Sequence, residues 1–262
     1  MIFPDKFQLK GKVALVTGGA GLIGKYICMA LAQAYANVYI GDVDVEQSNK
    51  VVMELTSYGL PVRFVPLDIS SELSVDSAVG EIIQKAQKID ILINNAYPRT
   101  SDWGEKFEGI KFESLRKNVD MHMNGYFLCC QKVLNEMKKT QEGVVVNISS
   151  TYGVVAPNFS IYEDTDMTMP AAYSLIKGGI ISFTRYLSTY FSRYNIRVNV
   201  LCPGGVFDNQ NPVFVKKYEN LTPMGKMANP EDVAAPVLFL CSDASAYITG
   251  QVIIVDGGFT TW

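Results

Sequence analysis

The sequence is poor in the residues that build metal and disulfide sites. It has one histidine, His122, and five cysteines among 262 residues. None of the cysteines has the spacing of a zinc site or a disulfide framework. The adjacent pair, Cys129 and Cys130, would point to different sides of any regular element. We therefore expect no metal site and expect buried free thiols, which favour a reducing compartment, the cytoplasm.

Charge and long hydrophobic runs are also scarce. Charged residues make up 19% of the chain and the net charge is −3, so nothing favours binding to nucleic acid or to an anionic membrane. No run of about 18 apolar residues predicts a membrane span, and the first residues lack the apolar region of a signal peptide. These absences favour a soluble, intracellular protein that acts on a small molecule.

Short β-branched runs alternate with segments of helical periodicity along the whole chain. The predicted strands are 13–19, 37–44, 62–70, 90–96, 143–150, 196–205 and 251–258. Several are apolar at successive positions, which is typical of strands buried on both faces of a parallel sheet. The pattern predicts an α/β fold, a doubly wound (Rossmann) parallel seven-stranded sheet with helices on both faces. We expect one domain, residues 1–262, with two irregular segments, 154–171 and 205–229, at the carboxyl ends of strands.

The first strand leads into a glycine turn and an amphipathic helix. Gly18, Gly21 and Gly24 fit the pattern T-G-x-x-G-x-x-G. Glycines let the backbone turn sharply and approach a pyrophosphate, which the start of the following helix then binds. This context predicts a dinucleotide site.

An acidic residue, Asp42, ends the second strand, 18 residues after Gly24. Its carboxylate can accept both ribose hydroxyls of the adenosine half and would repel a 2′-phosphate. The glycine loop before Gly24 has no Lys or Arg, and none follows Asp42 before Lys50. The sequence therefore favours NAD over NADP.

Seven ordered motifs from about Lys10 to Gly258 resemble the short-chain dehydrogenase/reductase family. They are the glycine loop, LDIS (67–70), INNA (93–96), VNISS (146–150), Tyr173-x-x-x-Lys177, IRVNVLCPGG (196–205) and ITGQVIIVDGG (248–258). The resemblance implies hydride transfer between nicotinamide and an alcohol or carbonyl carbon. It also implies dimers or tetramers formed through two long helices, near 110–140 and 172–194. The implied cofactor contacts, beyond the three glycines and Asp42, are Leu22, Ile23, Asp68, Ile69, Asn95, Ala96, Tyr173, Lys177, Pro203, Gly204 and Val206.

The implied catalytic residues are Ser150, Tyr173, Lys177 and His122. A helix places Tyr173 and Lys177 one turn apart on one face, so that the ammonium can lower the pKa of the phenol and hold the nicotinamide ribose. Ser150 would orient the substrate oxygen. His122 aligns with a family asparagine that takes part in proton relay. It is either such a relay or a structural histidine, and Asn124 is the competing position.

The chain also departs from the family pattern. Leu22 stands where single-domain members have a glycine, so the loop resembles that of the extended sugar-nucleotide branch. Tyr97 replaces a common glycine, and Asp208 replaces a threonine that contacts nicotinamide. The segment 154–171 is an insertion of about ten residues whose carboxylates and aromatic rings suit a sugar.

We expect an oxidoreductase for a secondary alcohol or ketone, for which a sugar or polyol is one candidate substrate. The alternatives are a sugar-nucleotide epimerase or dehydratase that retains NAD, and a 3-oxoacyl-type carbonyl reductase. The insertion also resembles the flagellin modification protein A subgroup, which is associated with bacterial surface-sugar modification.

Overall fold

A single sheet of seven parallel strands forms the centre of the computed structural model, which describes residues 3–262. The strands are β1 Val13–Thr17, β2 Asn37–Asp42, β3 Val62–Pro66, β4 Ile91–Asn94, β5 Gly143–Ile148, β6 Ile196–Pro203 and β7 Val252–Val255. Their order across the sheet is β3-β2-β1-β4-β5-β6-β7, so the direction of winding reverses between β1 and β4. The predicted fold class is confirmed. Ligands bind outside the carboxyl ends of strands at such a reversal.

Helices cover both faces of the sheet. The helices are α1 Leu22–Gln33, α2 Val45–Ser57, α3 Glu72–Ala86, α4 Phe112–Val119, α5 Gly125–Thr140, α6 Ala171–Phe191, α7 Pro212–Leu221 and α8 Pro230–Cys241. One core joins the sheet to α3, α5 and α6, and a second joins it to α1, α2 and α8. Strand β1 shows why both cores form. Val13 and Leu15 enter the first and Ala14 and Val16 the second, because successive side chains point to opposite faces.

One of the two predicted long helices is interrupted. Between α4 and α5 the chain makes a π-helical turn, Asp120–Asn124, instead of continuing as one helix through 110–140. The helix predicted at 172–194 is α6, followed by a 3-10 turn at Ser192–Tyr194. Single π turns inside α-helices occur frequently at functional sites, and this one contains His122.

The two irregular segments, 154–171 and 205–229, pack against each other. Both follow the carboxyl ends of neighbouring strands, β5 and β6. The ring of Tyr162 stacks on Phe214 of α7 with centroids 5.4 Å apart. Lys217, also in α7, donates to the carbonyl oxygen of Glu163 at 2.6 Å. The insertion therefore lies against α7, beside the carboxyl edge of the sheet.

No helix within residues 3–262 is both long enough and apolar enough to cross a membrane.

Candidate active site

A cleft of about 770 Å³ lies at the carboxyl edge of the sheet. The glycine loop and Asp42 line one part of it, and Ser150, Tyr173 and Lys177 line another. The insertion and α7 contribute Tyr162 and Phe214. The strand ends thus bring together segments as far apart in sequence as Gly18 and Met227.

The glycine loop is shaped by close backbone contacts. A Cβ atom at Gly24 would lie 2.1 Å from the carbonyl oxygen of Gly18, and Gly18 has a φ of +63°. Asn95, after β4, donates its side-chain amide to the carbonyl oxygens of Thr17 and Gly18 at 3.1 and 3.0 Å. Only glycine fits at position 24 in this arrangement, and the loop is held at the start of α1. A pyrophosphate binds where the backbone can come close to it at the start of a helix. This loop offers both features.

Asp42 is fixed beside this loop. Its carboxylate accepts the N–H of Ala20 at 3.1 Å and the N–H of Asp44 at 3.1 Å. The lysines nearest to it in sequence are already paired: Lys25 with Glu54 and Lys50 with Glu46, each at 2.7 Å. The position therefore offers a fixed carboxylate to a ribose, and these two lysines are not free to bind a 2′-phosphate.

Most of the cofactor contacts inferred from sequence lie in the cleft. Its walls include Gly18, Gly21, Leu22, Ile23, Asp42, Asp68, Ile69, Asn95, Ala96, Tyr173, Lys177, Pro203, Gly204 and Val206. Gly24 is the exception, because it packs beneath the loop against Gly18 instead of lining the cleft. Fourteen of the fifteen cofactor contacts expected from the sequence therefore line this one cleft.

Three of the four catalytic residues implied by the sequence, Ser150, Tyr173 and Lys177, meet at one wall of the cleft. The Nζ atom of Lys177 lies 5.6 Å from the ring centroid of Tyr173 and donates to the carbonyl oxygen of Ile148 at 3.0 Å. Burial raises the pKa of Tyr173, and the neighbouring Ser150 side chain opposes that rise. Ser150 Oγ also accepts the N–H of Tyr152 at 3.2 Å. The three side chains therefore lie together at the wall of the cleft that the glycine loop and Asp42 also line.

The pKa values of Tyr173 and Lys177 correct one expectation. Burial raises the pKa of Tyr173, outweighing the effect of Ser150, whereas the sequence led us to expect a phenol made more acidic by Lys177. Burial also lowers the pKa of Lys177 to about 7. The cause of both shifts is desolvation, which disfavours the charged form of each group. At neutral pH, Tyr173 is a neutral phenol and a proton donor.

His122 lies behind the catalytic wall and does not line the cleft. Its ring contacts those of Tyr97 and Tyr126, with centroids 5.4 and 5.1 Å away. Neither ring nitrogen has a hydrogen-bond partner among residues 3–262. Burial, and then the charge of Lys177, lower its pKa well below the usual value, so the imidazole is neutral. The competing position, Asn124, is exposed and donates to Asp120 at 2.8 Å.

An aromatic group beside Tyr173 was not predicted as part of the site. Tyr97 and Trp103, in the segment after β4, meet the Tyr173 ring with centroids 5.8 and 6.3 Å away. Arg99 lies between them in sequence and also lines the cleft. The sequence signal was their place directly after INNA, at the carboxyl end of a strand.

The insertion lines the cleft with aromatic and apolar side chains, whereas its composition indicated that carboxylates would also line it. Tyr162, Met167 and Met169 line the cleft, but Glu163, Asp164 and Asp166 do not. The Asp164 carboxylate pairs with Lys217 at 3.1 Å, on the exposed side of α7. The insertion therefore gives the cleft an aromatic and apolar wall, and its carboxylates lie elsewhere.

The five cysteines are buried and unpaired. In the part of the chain that the structure describes, no three His, Cys, Asp or Glu side chains are grouped so as to hold a metal ion.

Known proteins match the chain over nearly its whole length. A family model described as enoyl-(acyl carrier protein) reductase matches residues 19–260. A post-translational flagellin modification protein A from Campylobacter coli is 33% identical over 96% of this chain and 99% of its own. A 3-oxoacyl-[acyl-carrier-protein] reductase from Aquifex aeolicus is 34% identical over 97% of this chain and 99% of its own.

Solved structures share the same fold. A gluconate 5-dehydrogenase from Burkholderia cenocepacia, in complex with NADP and tartrate, superposes with a TM-score of 0.88. It is 25% identical in sequence and covers 98% of each chain.

The buried Lys177 predicts a pH-dependent stability. Its pKa is about 7 in the folded protein and near 10.5 when unfolded, so between these values the unfolded chain binds more protons. The free energy of unfolding should therefore rise with pH, by about 1.5 kcal/mol from pH 7 to 8.5. Lys177→Met should abolish this rise, as measured by urea unfolding at the two pH values.

Lys85→Met is the control, because Lys85 is an exposed lysine on α3. In this variant the free energy of unfolding should still rise from pH 7 to 8.5 as it does in wild type. An equal rise in wild type and Lys177→Met would show that Lys177 does not titrate in this range.

Proposed function

The chain belongs to the short-chain dehydrogenase/reductase family, and we propose that it is an NAD-dependent oxidoreductase that interconverts a secondary alcohol and a ketone. We propose a small-molecule substrate of sugar or polyol type, because the chain resembles a gluconate 5-dehydrogenase that was solved with tartrate. One observation carries the proposal: Ser150, Tyr173 and Lys177 converge in the same cleft as the glycine loop and Asp42.

Tyr173 is the general acid and base. In ketone reduction its phenol, which is protonated at neutral pH, gives a proton to the substrate oxygen. Ser150 donates a hydrogen bond to the same oxygen and orients it. When bound, the nicotinamide would supply the hydride-transfer chemistry. In alcohol oxidation Tyr173 must first lose its proton, so this direction speeds up as pH rises.

Lys177 and His122 connect Tyr173 to its surroundings. Lys177 holds the nicotinamide ribose, and its pKa of about 7 allows it to take up or release a proton near neutral pH. The neutral imidazole of His122 has one nitrogen that can accept a proton and one that can release it. We assign His122 to a proton relay that passes through the Lys177 region. Its two unpartnered nitrogens support this role over a purely structural one.

NAD is preferred because of Asp42. The carboxylate suits ribose hydroxyls and repels a 2′-phosphate, and Lys25 and Lys50 are held by Glu54 and Glu46. The related gluconate 5-dehydrogenase was solved with NADP, so the preference rests on this chain's own residues.

Three further properties form part of the proposal. Residues 1–262 act as one domain, supported by the single sheet. The chain forms a homodimer or homotetramer through α4–α6, where Phe127, Tyr186 and Tyr190 are exposed. It works in the cytoplasm, supported by its five unpaired cysteines.

Reduction of a 3-oxoacyl group is the second candidate function. The relative from Aquifex aeolicus, 34% identical, favours it. The apolar wall of Tyr162, Met167 and Met169 could also accept an acyl chain.

Replacing the catalytic phenol tests the proposal. Tyr173→Phe should lower kcat by about 10²–10⁴-fold, because the proton donor is lost, while NADH still binds. Turnover would be measured with secondary alcohols, polyols and a 3-oxoacyl thioester, and NADH binding by fluorescence. A variant as active as wild type would refute the proposal, and activity on the thioester alone would select the second candidate.

Asp42→Asn tests cofactor choice. It removes the charge but keeps the side-chain shape, so the ratio of kcat/KM for NAD to that for NADP should fall by about tenfold. Asp44→Asn is the control, because Asp44 caps α2 and does not line the cleft. A wild-type enzyme that prefers NADP would contradict the assignment.

His122→Phe separates a relay from a packing role. Phenylalanine keeps a ring against Tyr97 and Tyr126 but has no nitrogen, so a relay predicts that kcat falls about tenfold or more. His122→Asn, which restores a polar group, should retain more activity. Thermal unfolding would confirm that both variants fold. If His122→Phe turned over substrate as fast as wild type, His122 would be structural.

A further inference from the structure

We propose that the substrate carries an anionic group, a carboxylate or a phosphate ester, and that Arg99 binds it. This inference rests on the proposed function and narrows its substrate class to acids such as hydroxy acids and sugar phosphates. It assigns Arg99 as a specificity-determining residue.

Arg99 is a cation at the substrate end of the cleft. Of the described residues that line the cleft, only Arg99 and Lys177 are cationic. Lys177 is buried and bonded to Ile148, whereas Arg99 is exposed. The Arg99 guanidinium lies 5.3 Å from the ring centroid of Tyr97, and that ring lies 5.8 Å from the ring of Tyr173. The positive charge is thus one aromatic ring away from the catalytic phenol.

The guanidinium has no carboxylate partner among residues 3–262, because no ion pair of the described chain includes Arg99. The nearest carboxylate in sequence, Asp102, accepts a hydrogen bond from Ser114 at 2.7 Å. Thr100 and Ser114 are the main causes of the lowered pKa of Asp102, and Lys111 is the cation that contributes. The Asp102 carboxylate therefore bonds to Ser114 and does not pair with Arg99.

The backbone beside Arg99 is anchored. The N–H of Thr100 donates to the side chain of Asn118 at 3.0 Å, and Asn118 donates back to the Thr100 hydroxyl at 2.8 Å. Asn118 lies on α4 and is 3% exposed. Cation–π contact with Tyr97 restricts the guanidinium further. A fixed guanidinium without a counter-ion suits an anion, which it can bind through two parallel hydrogen bonds.

A matched series of compounds tests this recognition. Alditols of four to six carbons are neutral, the corresponding aldonates carry a carboxylate, and the alditol phosphates carry a phosphate ester. Cyclopentanol serves as a simple secondary alcohol. We expect kcat/KM for at least one anionic compound to exceed that for its alditol by about tenfold or more. The aldonate and phosphate arms then identify which anion is used.

Variants of Arg99 identify the residue responsible. Arg99→Gln should raise KM for the anionic compound about 10- to 100-fold, with kcat and the alditol KM little changed. Arg99→Lys keeps the charge but not the paired hydrogen bonds. Its KM for the anionic compound should therefore lie between those of wild type and Arg99→Gln. Arg116→Gln is the control, because Arg116 is an exposed cation on α4 that pairs with Glu113 and does not line the cleft.

The outcomes separate this inference from the proposed function. An enzyme that oxidises cyclopentanol or alditols but shows no preference for any anionic compound would overturn the role of Arg99 and leave the proposed function standing. Equal effects of Arg99→Gln on anionic and neutral substrates would also overturn it. Activity with none of the compounds and neither cofactor would overturn both.

Discussion

The site depends on side-chain-to-backbone hydrogen bonds between the end of β5 and helix α6. Ser149 donates to the carbonyl oxygen of Lys177 at 2.8 Å, and a Cβ atom at Gly153 would lie 2.8 Å from that same oxygen. Lys177 in turn donates to the carbonyl oxygen of Ile148. These contacts join the segment that carries Ser150 to the helix that carries Tyr173. The catalytic geometry is therefore set by packed main chain and not by mobile loops.

Much of the fold could be predicted from the sequence, because the signals for strands and turns are local. The strands ended earlier than predicted, since residues such as Gly18, Asn95 and Ser150 bend out of the sheet into the cleft. The glycine loop and Asp42 were also predictable, because their chemistry depends on fixed spacing. The π turn around His122 could not be predicted, because its apolar residues have the same periodicity as those of an ordinary helix.

Other parts of the site depend on contacts between distant segments. The pKa of Tyr173 was predicted with the wrong sign, because spacing shows that Lys177 is near but does not show how deeply both groups are buried. Likewise, composition could not show that Asp164 turns away towards Lys217 while Tyr162 faces the cleft. Burial and side-chain direction decide these cases, and both come from tertiary packing.

The insertion and α7 share the stacked pair of Tyr162 and Phe214 and the bond from Lys217 to Glu163. Neither segment can shift on its own without breaking these contacts. Substitutions in the two segments should therefore have non-additive effects on stability and turnover. Exchanging α7 alone for a helix of different sequence would therefore remove its contacts with the insertion.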